Sequence, residues 1–373
     1  MRPAVPELLV NPGRRHDRSA ARPDASPAQF HRRFPGYAPT RVVDAPALAA
    51  ELDVVALSVK DESHRFGLPS FKILGASWAV YRLLVGRLGR EPEWRDLDDL
   101  RRALAPLGPL TLVAATDGNH GRAVAHMARL LGYASRILVP AGTASARIDA
   151  IAGEGASVTV VDGTYDDAVR ASAALAADDV LVVSDTSWEG YTEVPRTVIE
   201  GYATIFAEID EQLAAAPPEV VVVPMGVGAL AAATVEHFAS GATIVVVEPR
   251  SAACGLQSAA AGHPIAVPGP HDSIMAGLNC GMVSIIAWPA VSTGVDVFVS
   301  VDDAAAEQAM RDLAAIGVVA GETGAAALAG LRAVVAGADA GGTPSVRGRR
   351  ILVLCTEGAT DPLAYRRIVG HEP

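Results

Sequence analysis

Short runs of β-branched and other apolar residues alternate along most of the chain with longer Ala- and Leu-rich stretches of helical periodicity. The apolar runs are TLVAAT, RILVP, SVTVV and VLVVSD in the first half, and EVVVVPMG, TIVVVEP, DVFVSV and RRILVLC in the second. Continuous apolar runs joined by helices are typical of βαβ units around buried parallel strands. The pattern therefore predicts an α/β fold with mostly parallel sheets flanked by helices.

Length and charge narrow the class of protein. The 373 residues suffice for two domains, and the net charge of -11 argues against binding to nucleic acid or to an anionic membrane. Segment 1–30 is rich in Arg, Pro and Ala without the apolar core of a signal peptide, so we predict a flexible N-terminal segment and a cytoplasmic protein. The longest apolar run, 220–235, is too short and too interrupted to cross a membrane. The three cysteines lack metal-ligand spacing, so no metal site is predicted.

Lysine is rare in this chain. Of 31 cationic Lys and Arg residues only Lys60 and Lys72 are lysines, and both lie in the segment KDESHRFGLPSFKILGASWAV. Arg is never deprotonated in proteins, whereas Lys can lose its proton and act as a nucleophilic amine. The segment is therefore a candidate for amine chemistry, and a general bias toward Arg is the alternative.

Three predicted strands end in unusual residues, and ligands bind at the carboxyl ends of parallel strands. The first end, ATDGNHG, carries Asp117 and Asn119 to the start of a helix that offers free N–H groups to an anion. Capping of that helix by Asp117 or Asn119 is the alternative. The third, LCTEGATDP, ends in Cys355 and Thr356, which could bond a ring nitrogen or simply close the loop.

The second strand end, PMGVGALA, is a Gly-x-Gly loop suited to a phosphate. With Glu248 about twenty residues further on, it also fits the dinucleotide fingerprint, so an NAD-dependent oxidoreductase is a rival hypothesis. An amine, a phosphate loop, an Asn and a neutral Ser/Thr/Cys donor together indicate pyridoxal phosphate (PLP) held as a Schiff base. An NAD site would leave Lys72 and the Asn119 loop unexplained.

Eight blocks in order resemble the fold-type II PLP enzymes, and within them the diaminopropionate ammonia-lyases. They are KDES.RFGL..FK.LG, ATDGNHGR, DT.WEGYTE.P, GVGALA, EP..AACG..S, SIMAGLNCG, GETGAAAL and TEG.TDP..YR. One departure is Pro69–Ser70, where Asn-Ala is expected before the Phe-Lys pair. The resemblance implies a homodimer with a large domain at 31–89 and 189–373 and a small domain at 90–188.

The resemblance also implies the cofactor residues. Lys72 would form the Schiff base and Asn119 would bond the phenolic oxygen of the cofactor, while either Cys355 or Thr356 would face the pyridine nitrogen. The remaining cofactor residues implied are Gly226, Val227, Gly228, Ala229 and Glu322. Cys254 and Cys280 fall in blocks that the family places near the mouth of the site, so we expect them to be close together, with a disulfide left open.

Two aspartates carry the substrate hypothesis. Related dehydratases of hydroxy amino acids have a small neutral residue where this chain has Asp117, and a carboxylate suits the β-ammonium of 2,3-diaminopropionate. The resemblance assigns Asp117 and Lys72 as bases on opposite faces and Asp185 as a second carboxylate, with helix capping the alternative for Asp185. The expected reaction is α,β-elimination from D- or L-diaminopropionate to pyruvate and ammonia. A serine/threonine dehydratase or β-replacing enzyme is the nearest alternative.

Overall fold

The computed structural model describes residues 8–15, 26–238, 241–339 and 345–373. The strands are β1 (Leu8–Val10), β2 (Val42–Asp44), β3 (Ala56–Asp61), β4 (Thr111–Ala115), β5 (Ala134–Pro140), β6 (Ser157–Val161), β7 (Val180–Val182), β8 (Val220–Pro224), β9 (Thr243–Pro249), β10 (Val297–Val301) and β11 (Arg350–Cys355). The helices are α1 (Ser26–His31), α2 (Pro46–Glu51), α3 (Lys72–Leu88), α4 (Leu97–Leu104), α5 (Asn119–Leu131), α6 (Ser145–Ala152), α7 (Tyr165–Ala173), α8 (Glu193–Gly201), α9 (Ala203–Gln212), α10 (Ala229–Phe238), α11 (Cys254–Ala261), α12 (Trp288–Gly294), α13 (Asp303–Ala315), α14 (Glu322–Asp339) and α15 (Pro362–Val369).

The chain divides into two compact units. Of the described residues, the first unit comprises 8–15, Pro39–His64 and those from Ile205 to Pro373, and the second comprises 26–38 and Arg65–Thr204. The predicted small-domain segment 90–188 lies inside the second unit, which also includes α3 and α8. The domain boundaries given by the family resemblance stay a prediction.

The first unit is built on a seven-stranded sheet in the order β1-β10-β9-β8-β11-β3-β2. The five inner strands are parallel, and the edge strands β1 and β2 pair antiparallel with their neighbours. All residues of β8 and β10 are buried, which explains their continuous apolar sequences. Helices α13, α14 and α15 contribute to the apolar core that covers this sheet.

The second unit has a four-stranded parallel sheet in the order β6-β5-β4-β7. Helices α5 and α7 pack on it, and α3 contacts both α5 and α8. Glycines let α3 and α8 approach closely: a Cβ on Gly201 would lie 2.5 Å from the Leu74 carbonyl oxygen, and one on Gly75 would lie 2.6 Å from a Tyr202 ring carbon. This close crossing fixes the start of α3, where Lys72 stands.

All eight apolar runs are strands, so that prediction is confirmed. Segment 1–30 differs from the flexible segment predicted. Leu8–Val10 pair with β10, and the Asn11 amide donates to the Val295 carbonyl at 2.7 Å, because the apolar LLV run completes an open sheet edge. Helix α1 begins at Ser26. Residues 1–7 and 16–25 lie outside the described part of the chain.

Candidate active site

Lys72 is the first residue of α3, and its ammonium faces a carboxylate. Its Nζ donates to Asp185 Oδ2 at 2.6 Å, with the Lys72 side chain 19% exposed and that of Asp185 6% exposed. Asp185 follows the end of β7, so a helix start and a strand end of the second unit meet at this ion pair. The two residues are 113 positions apart in sequence.

Two tyrosines hold the loop that carries Asp185. The Tyr165 hydroxyl donates to Asp185 Oδ1 at 3.1 Å, which leaves Oδ2 directed at Lys72. The Tyr191 hydroxyl donates to the Val182 carbonyl at 2.7 Å and accepts from the Ser184 N–H at 3.1 Å. These bonds close the loop on itself and fix the direction of the carboxylate.

The ion pair stabilises the ammonium form of Lys72 and the carboxylate form of Asp185. Burial alone would lower the pKa of Lys72, but the Asp185 carboxylate raises it well above its ordinary value. Burial alone would raise the pKa of Asp185, but the Lys72 ammonium and the hydrogen bonds lower it well below its usual range. Lys72 is therefore an ammonium at neutral pH in this arrangement, and it must lose a proton before it can act as a nucleophile or base.

His120 lies beside the same carboxylate. Its Nδ1 is 3.9 Å from Asp185 Oδ2, and its Nε2 is 2.8 Å from the Val183 carbonyl. The imidazole is buried, and burial lowers its pKa below the ordinary value. The sequence places His120 at the strand end ATDGNHG together with Asp117 and Asn119, but it assigns the imidazole no chemical role, because the groups it contacts come from a distant strand.

Asp117 and Asn119 flank the N-cap position of α5. The N-cap residue is Gly118, at φ +153°. Likewise the N-cap residue of α8 is Thr192, so Asp185 does not stand at the N-cap of that helix. By position, none of the three acidic or amide residues is an N-cap residue. Asp117 is half-buried and acts electrostatically on Lys72, raising its pKa after the larger effects of burial and Asp185.

In the first unit, the loop after β8 forms a cradle for an anion. Gly228 has a φ of +98°, which favours glycine, and α10 begins with Ala229. A Cβ on Gly226 would lie 3.1 Å from both Cys280 Sγ and the Gly277 carbonyl oxygen, so only glycine leaves this space clear. The free N–H groups at the start of α10 suit a phosphate. Val227, between the two glycines, is buried.

Cys254 and Cys280 both lie beside Gly226, as the resemblance suggested. Cys254 Sγ is 3.7 Å from the Gly226 carbonyl oxygen, and Cys280 Sγ borders the same glycine. Both are buried thiols, and neither is in a disulfide among the described residues. Burial, followed by the nearby Glu248 carboxylate, raises the pKa of Cys254 well above its ordinary value. No disulfide joins them in this structure.

Cys355 and Thr356, at the end of β11, are the two residues predicted to face the pyridine nitrogen of the cofactor, and their surroundings differ. Cys355 packs into the apolar core, and its thiol donates to the Glu357 carbonyl at 3.5 Å. The Thr356 hydroxyl is buried and has no hydrogen-bond partner among the described residues. An unsatisfied buried hydroxyl is costly, so Thr356 is the better candidate for a polar group of a ligand. Glu322, the first residue of α14, is also buried.

Both carboxylate oxygens of Glu248 are used in hydrogen bonds within the protein. It is fully buried, and its two carboxylate oxygens accept from the N–H groups of Gly255 at 2.7 Å and Leu256 at 2.8 Å, near the start of α11. Burial raises its pKa to about 7. In a dinucleotide site this carboxylate would bind the ribose hydroxyls. Because Glu248 already bonds the main chain, it does not support the NAD-dependent oxidoreductase hypothesis.

Among the described residues, no group of three or more His, Cys, Asp or Glu side chains could hold a metal ion. Within the same ranges, no helix is long and apolar enough to cross a membrane. The second unit offers an amine and an Asn, and the first unit offers a glycine cradle and an orphan hydroxyl. Each is a kind of group that binds PLP.

Comparison with known proteins identifies the family. Residues 33–357 match the family of pyridoxal-phosphate dependent enzymes, and the chain belongs to it. The diaminopropionate ammonia-lyase of Escherichia coli strain K12 is 36% identical over 358 residues, covering 91% of this chain and 89% of the relative. That of Salmonella typhimurium strain LT2 is 34% identical over 370 residues, covering 92% and 90%.

Solved structures agree with this assignment. The Escherichia coli diaminopropionate ammonia-lyase in complex with D-serine superposes with a TM-score of 0.88 at 32% identity, covering 97% of this chain and 96% of that one. The same enzyme in complex with an aminoacrylate-PLP azomethine reaction intermediate gives a TM-score of 0.84, again at 32% identity and with coverage of 97% and 96%. The predicted fold type II and the predicted cofactor, PLP, are confirmed.

Proposed function

We propose that this PLP enzyme eliminates ammonia from D- or L-2,3-diaminopropionate, giving pyruvate and a second ammonia. The observation that carries the proposal is the group of two carboxylates around one lysine: Asp185 pairs with Lys72 at 2.6 Å, and Asp117 acts on the same ammonium. The two ammonia-lyases at 36% and 34% identity support it. A neutral leaving hydroxyl would have no need of the Asp117 charge.

The proposal assigns each cofactor contact to a residue of this chain. Lys72 bonds the cofactor covalently, and Asn119, the first residue of α5, meets its phenolic oxygen. The loop Gly226–Ala229 binds the phosphate through its N–H groups. Thr356 faces the pyridine nitrogen, because its hydroxyl is buried without a partner whereas the Cys355 thiol is engaged. Glu322 stays a predicted cofactor residue. When bound, PLP supplies an electron sink for negative charge at the substrate α-carbon.

Side chains of the protein accept the substrate protons during the proposed reaction. Once free as a neutral amine, Lys72 would accept the α-proton of one enantiomer of the bound substrate at Nζ. Asp117 accepts the α-proton of the other enantiomer and pairs with the β-ammonium of the bound substrate. Asp185 holds Lys72 in position through its Oδ2, and Tyr165 holds Asp185. Exclusion of water would strengthen each of these charge interactions.

The test is the rate constant kcat/KM for D-diaminopropionate, L-diaminopropionate and L-serine in wild type and Asp117→Asn. Loss of one charge-assisted hydrogen bond costs about 1.5–3 kcal/mol, or about ten- to a hundredfold in rate on diaminopropionate. Activity on serine should fall less, because its hydroxyl carries no charge to pair. If Asp117 is the base for the D-isomer, the loss for D exceeds that for L.

Absence of diaminopropionate turnover together with turnover of serine or threonine would favour the dehydratase alternative instead. An unchanged preference among the three substrates in Asp117→Asn would remove the substrate-selecting role of Asp117. The control is the binding of PLP, which is monitored by visible absorption. It should be unchanged in Asp117→Asn, because the substitution leaves Asn119 and the glycine loop intact. A cytoplasmic location and a homodimer belong to the same proposal, and gel filtration tests the dimer.

A further inference from the structure

The hydrogen bond of His120 to the main chain fixes which ring nitrogen carries a proton. The Val183 carbonyl can only accept, so Nε2, at 2.8 Å from it, must be the N–H donor. In the neutral ring Nδ1 is then a bare acceptor. This Nδ1 is buried, has no hydrogen-bond partner among the described residues, and lies 3.9 Å from Asp185 Oδ2. A buried lone pair facing a carboxylate is an unfavourable arrangement that calls for an explanation.

The distance agrees with a neutral ring. Two acceptors repel each other, so a bare Nδ1 and a carboxylate oxygen stay beyond hydrogen-bond range. Protonation of Nδ1 would turn it into a donor, and a closure of about 1 Å would give a charge-assisted hydrogen bond with Oδ2. The same oxygen already accepts from Lys72 Nζ at 2.6 Å. Asp185 Oδ2 is therefore shared by two nitrogen bases.

The charge of Lys72 controls whether His120 can hold that proton. After the effect of burial, the Asp185 carboxylate raises the pKa of His120 and the Lys72 ammonium lowers it. Other titratable groups around this cluster include Asp117, Tyr165, Tyr202 and Tyr191, and burial raises the pKa of Tyr191 and keeps its phenol neutral. Asp117 and Tyr202 act on Lys72, and Tyr165 donates to Asp185 Oδ1. Burial raises the pKa of Tyr202, which keeps its phenol neutral, so Lys72 is the cation that opposes protonation of His120.

We propose that His120 takes up, by way of Asp185 Oδ2, the proton that Lys72 Nζ gives up, and so keeps Asp185 paired while Lys72 acts as a neutral amine. An N–H bond of Lys72 breaks, the proton passes over Oδ2, and an N–H bond forms at His120 Nδ1. The total charge of the three groups does not change. A buried carboxylate that lost its only cation would be strongly destabilised, and this transfer prevents it. His120 is a positioning residue in this account, since it acts through Asp185. The inference rests on the proposed function only in requiring Lys72 to be neutral at some step.

Nitrogen NMR of histidine-labelled protein, free of PLP, tests the linkage directly. The chain has 9 histidines, and His120→Gln identifies the His120 signal. In wild type and in Lys72→Arg, which keeps a cation, Nδ1 of His120 should be unprotonated at pH 7. In Lys72→Met the pKa of His120 should rise by at least about one unit, a tenfold change in proton affinity. Equal His120 titration in Lys72→Met and wild type would overturn the proposal.

A second measurement does not depend on the folding of Lys72→Met. His120→Gln keeps an amide N–H for the Val183 carbonyl and removes the titrating nitrogen. Its kcat on diaminopropionate should fall about tenfold at pH 7 and recover as pH rises, with little change in KM. His126→Gln, on the same helix but at an imidazole that pairs with Glu154 at 2.9 Å and not with Asp185, is the control and should keep the wild-type profile. A wild-type pH profile in His120→Gln would refute the proposal. An inactive wild type would refute the proposed function alone, and the NMR result would still decide the linkage.

Discussion

Lys60 and Lys72 occupy opposite kinds of site, although they are the only lysines of the chain and stand twelve positions apart. Lys60 Nζ is fully buried in the first unit and donates to Glu208 Oε2 at 2.8 Å, the Thr40 carbonyl at 2.9 Å and Gln212 Oε1 at 2.9 Å. Lys72 in the second unit is 19% exposed, and within the described residues its hydrogen-bond partner is Asp185.

The difference lies in how many of the three ammonium protons have fixed acceptors. Lys60 has an acceptor for each proton, so its removal from this cage would break three bonds. Among the described residues Lys72 has one hydrogen-bond acceptor, so its release breaks one hydrogen bond instead of three. A compact point charge fits the Lys60 cage, and the chemistry proposed for residue 72 needs an amine that can lose its proton, which Arg cannot supply.

The largest difference should appear in activity. Lys72→Arg keeps the charge near Asp185 and loses the nucleophilic amine, so turnover should fall by at least about a thousandfold, the scale of a lost general base combined with lost covalent catalysis. Pyruvate release from diaminopropionate measures it. Lys60→Arg is the matched control, and its kcat, measured on the folded fraction, should stay within a few-fold of wild type. Comparable kcat values in Lys72→Arg and Lys60→Arg would contradict the claim that only Lys72 takes part in the reaction.

Stability should show the reverse order. Lys60→Met leaves the Glu208 carboxylate buried without its cation, which should cost about 3–5 kcal/mol in the free energy of unfolding. Lys72→Met should cost less, because Asp185 keeps the Tyr165 hydroxyl and is less deeply enclosed. Urea unfolding followed by circular dichroism compares the two. Adding Glu208→Leu to Lys60→Met should restore part of the loss, and a larger loss in Lys72→Met than in Lys60→Met would contradict the account.

The smallest effect is the pH dependence of the Lys72–Asp185 pair. Asp185 has a lowered pKa when folded, so its contribution is present above the unfolded value of about 3.9 and disappears as pH falls through the folded value. Lys72 has a raised pKa, so its contribution is present below about 10.4 and disappears as pH rises through the folded value. The free energies of unfolding of wild type and Asp185→Asn should differ by about 1–3 kcal/mol between pH 5 and 9, and the difference should shrink as pH falls below about 3.9 or rises above about 10.4. A constant gap from pH 3 to 11 would show that the pair is not the cause.

Much of the architecture could be predicted because buried parallel strands leave continuous apolar runs. Strands β1 and β2 were not predicted from the sequence, because they are edge strands of only three residues. Strand β3 escaped because Lys60 and Asp61 interrupt its apolar character, and only long-range partners such as Glu208 make a buried lysine there acceptable. Sequence analysis could not supply those partners.

The site shows the same limit. Lys72, Asn119 and the glycine loop were found from local motifs, and the family and the cofactor they indicated are confirmed. Capping and catalysis favour the same residue types, so sequence left Asp117 and Asp185 undecided until the caps were seen at Gly118 and Thr192. The roles of Tyr165 and His120 depend on contacts with Asp185 from distant parts of the chain. No local pattern encodes such contacts.

The most direct test of the central claim is to trap the cofactor. Borohydride treatment of the yellow PLP-loaded protein, followed by proteolysis and mass spectrometry of the labelled peptide, reports which amine bonds the cofactor. With only two lysines in the chain the result is unambiguous. We expect all of the label on the peptide that contains Lys72 and none on Lys60. Label on Lys60, or a protein that stays colourless and inactive with added PLP, would contradict the account.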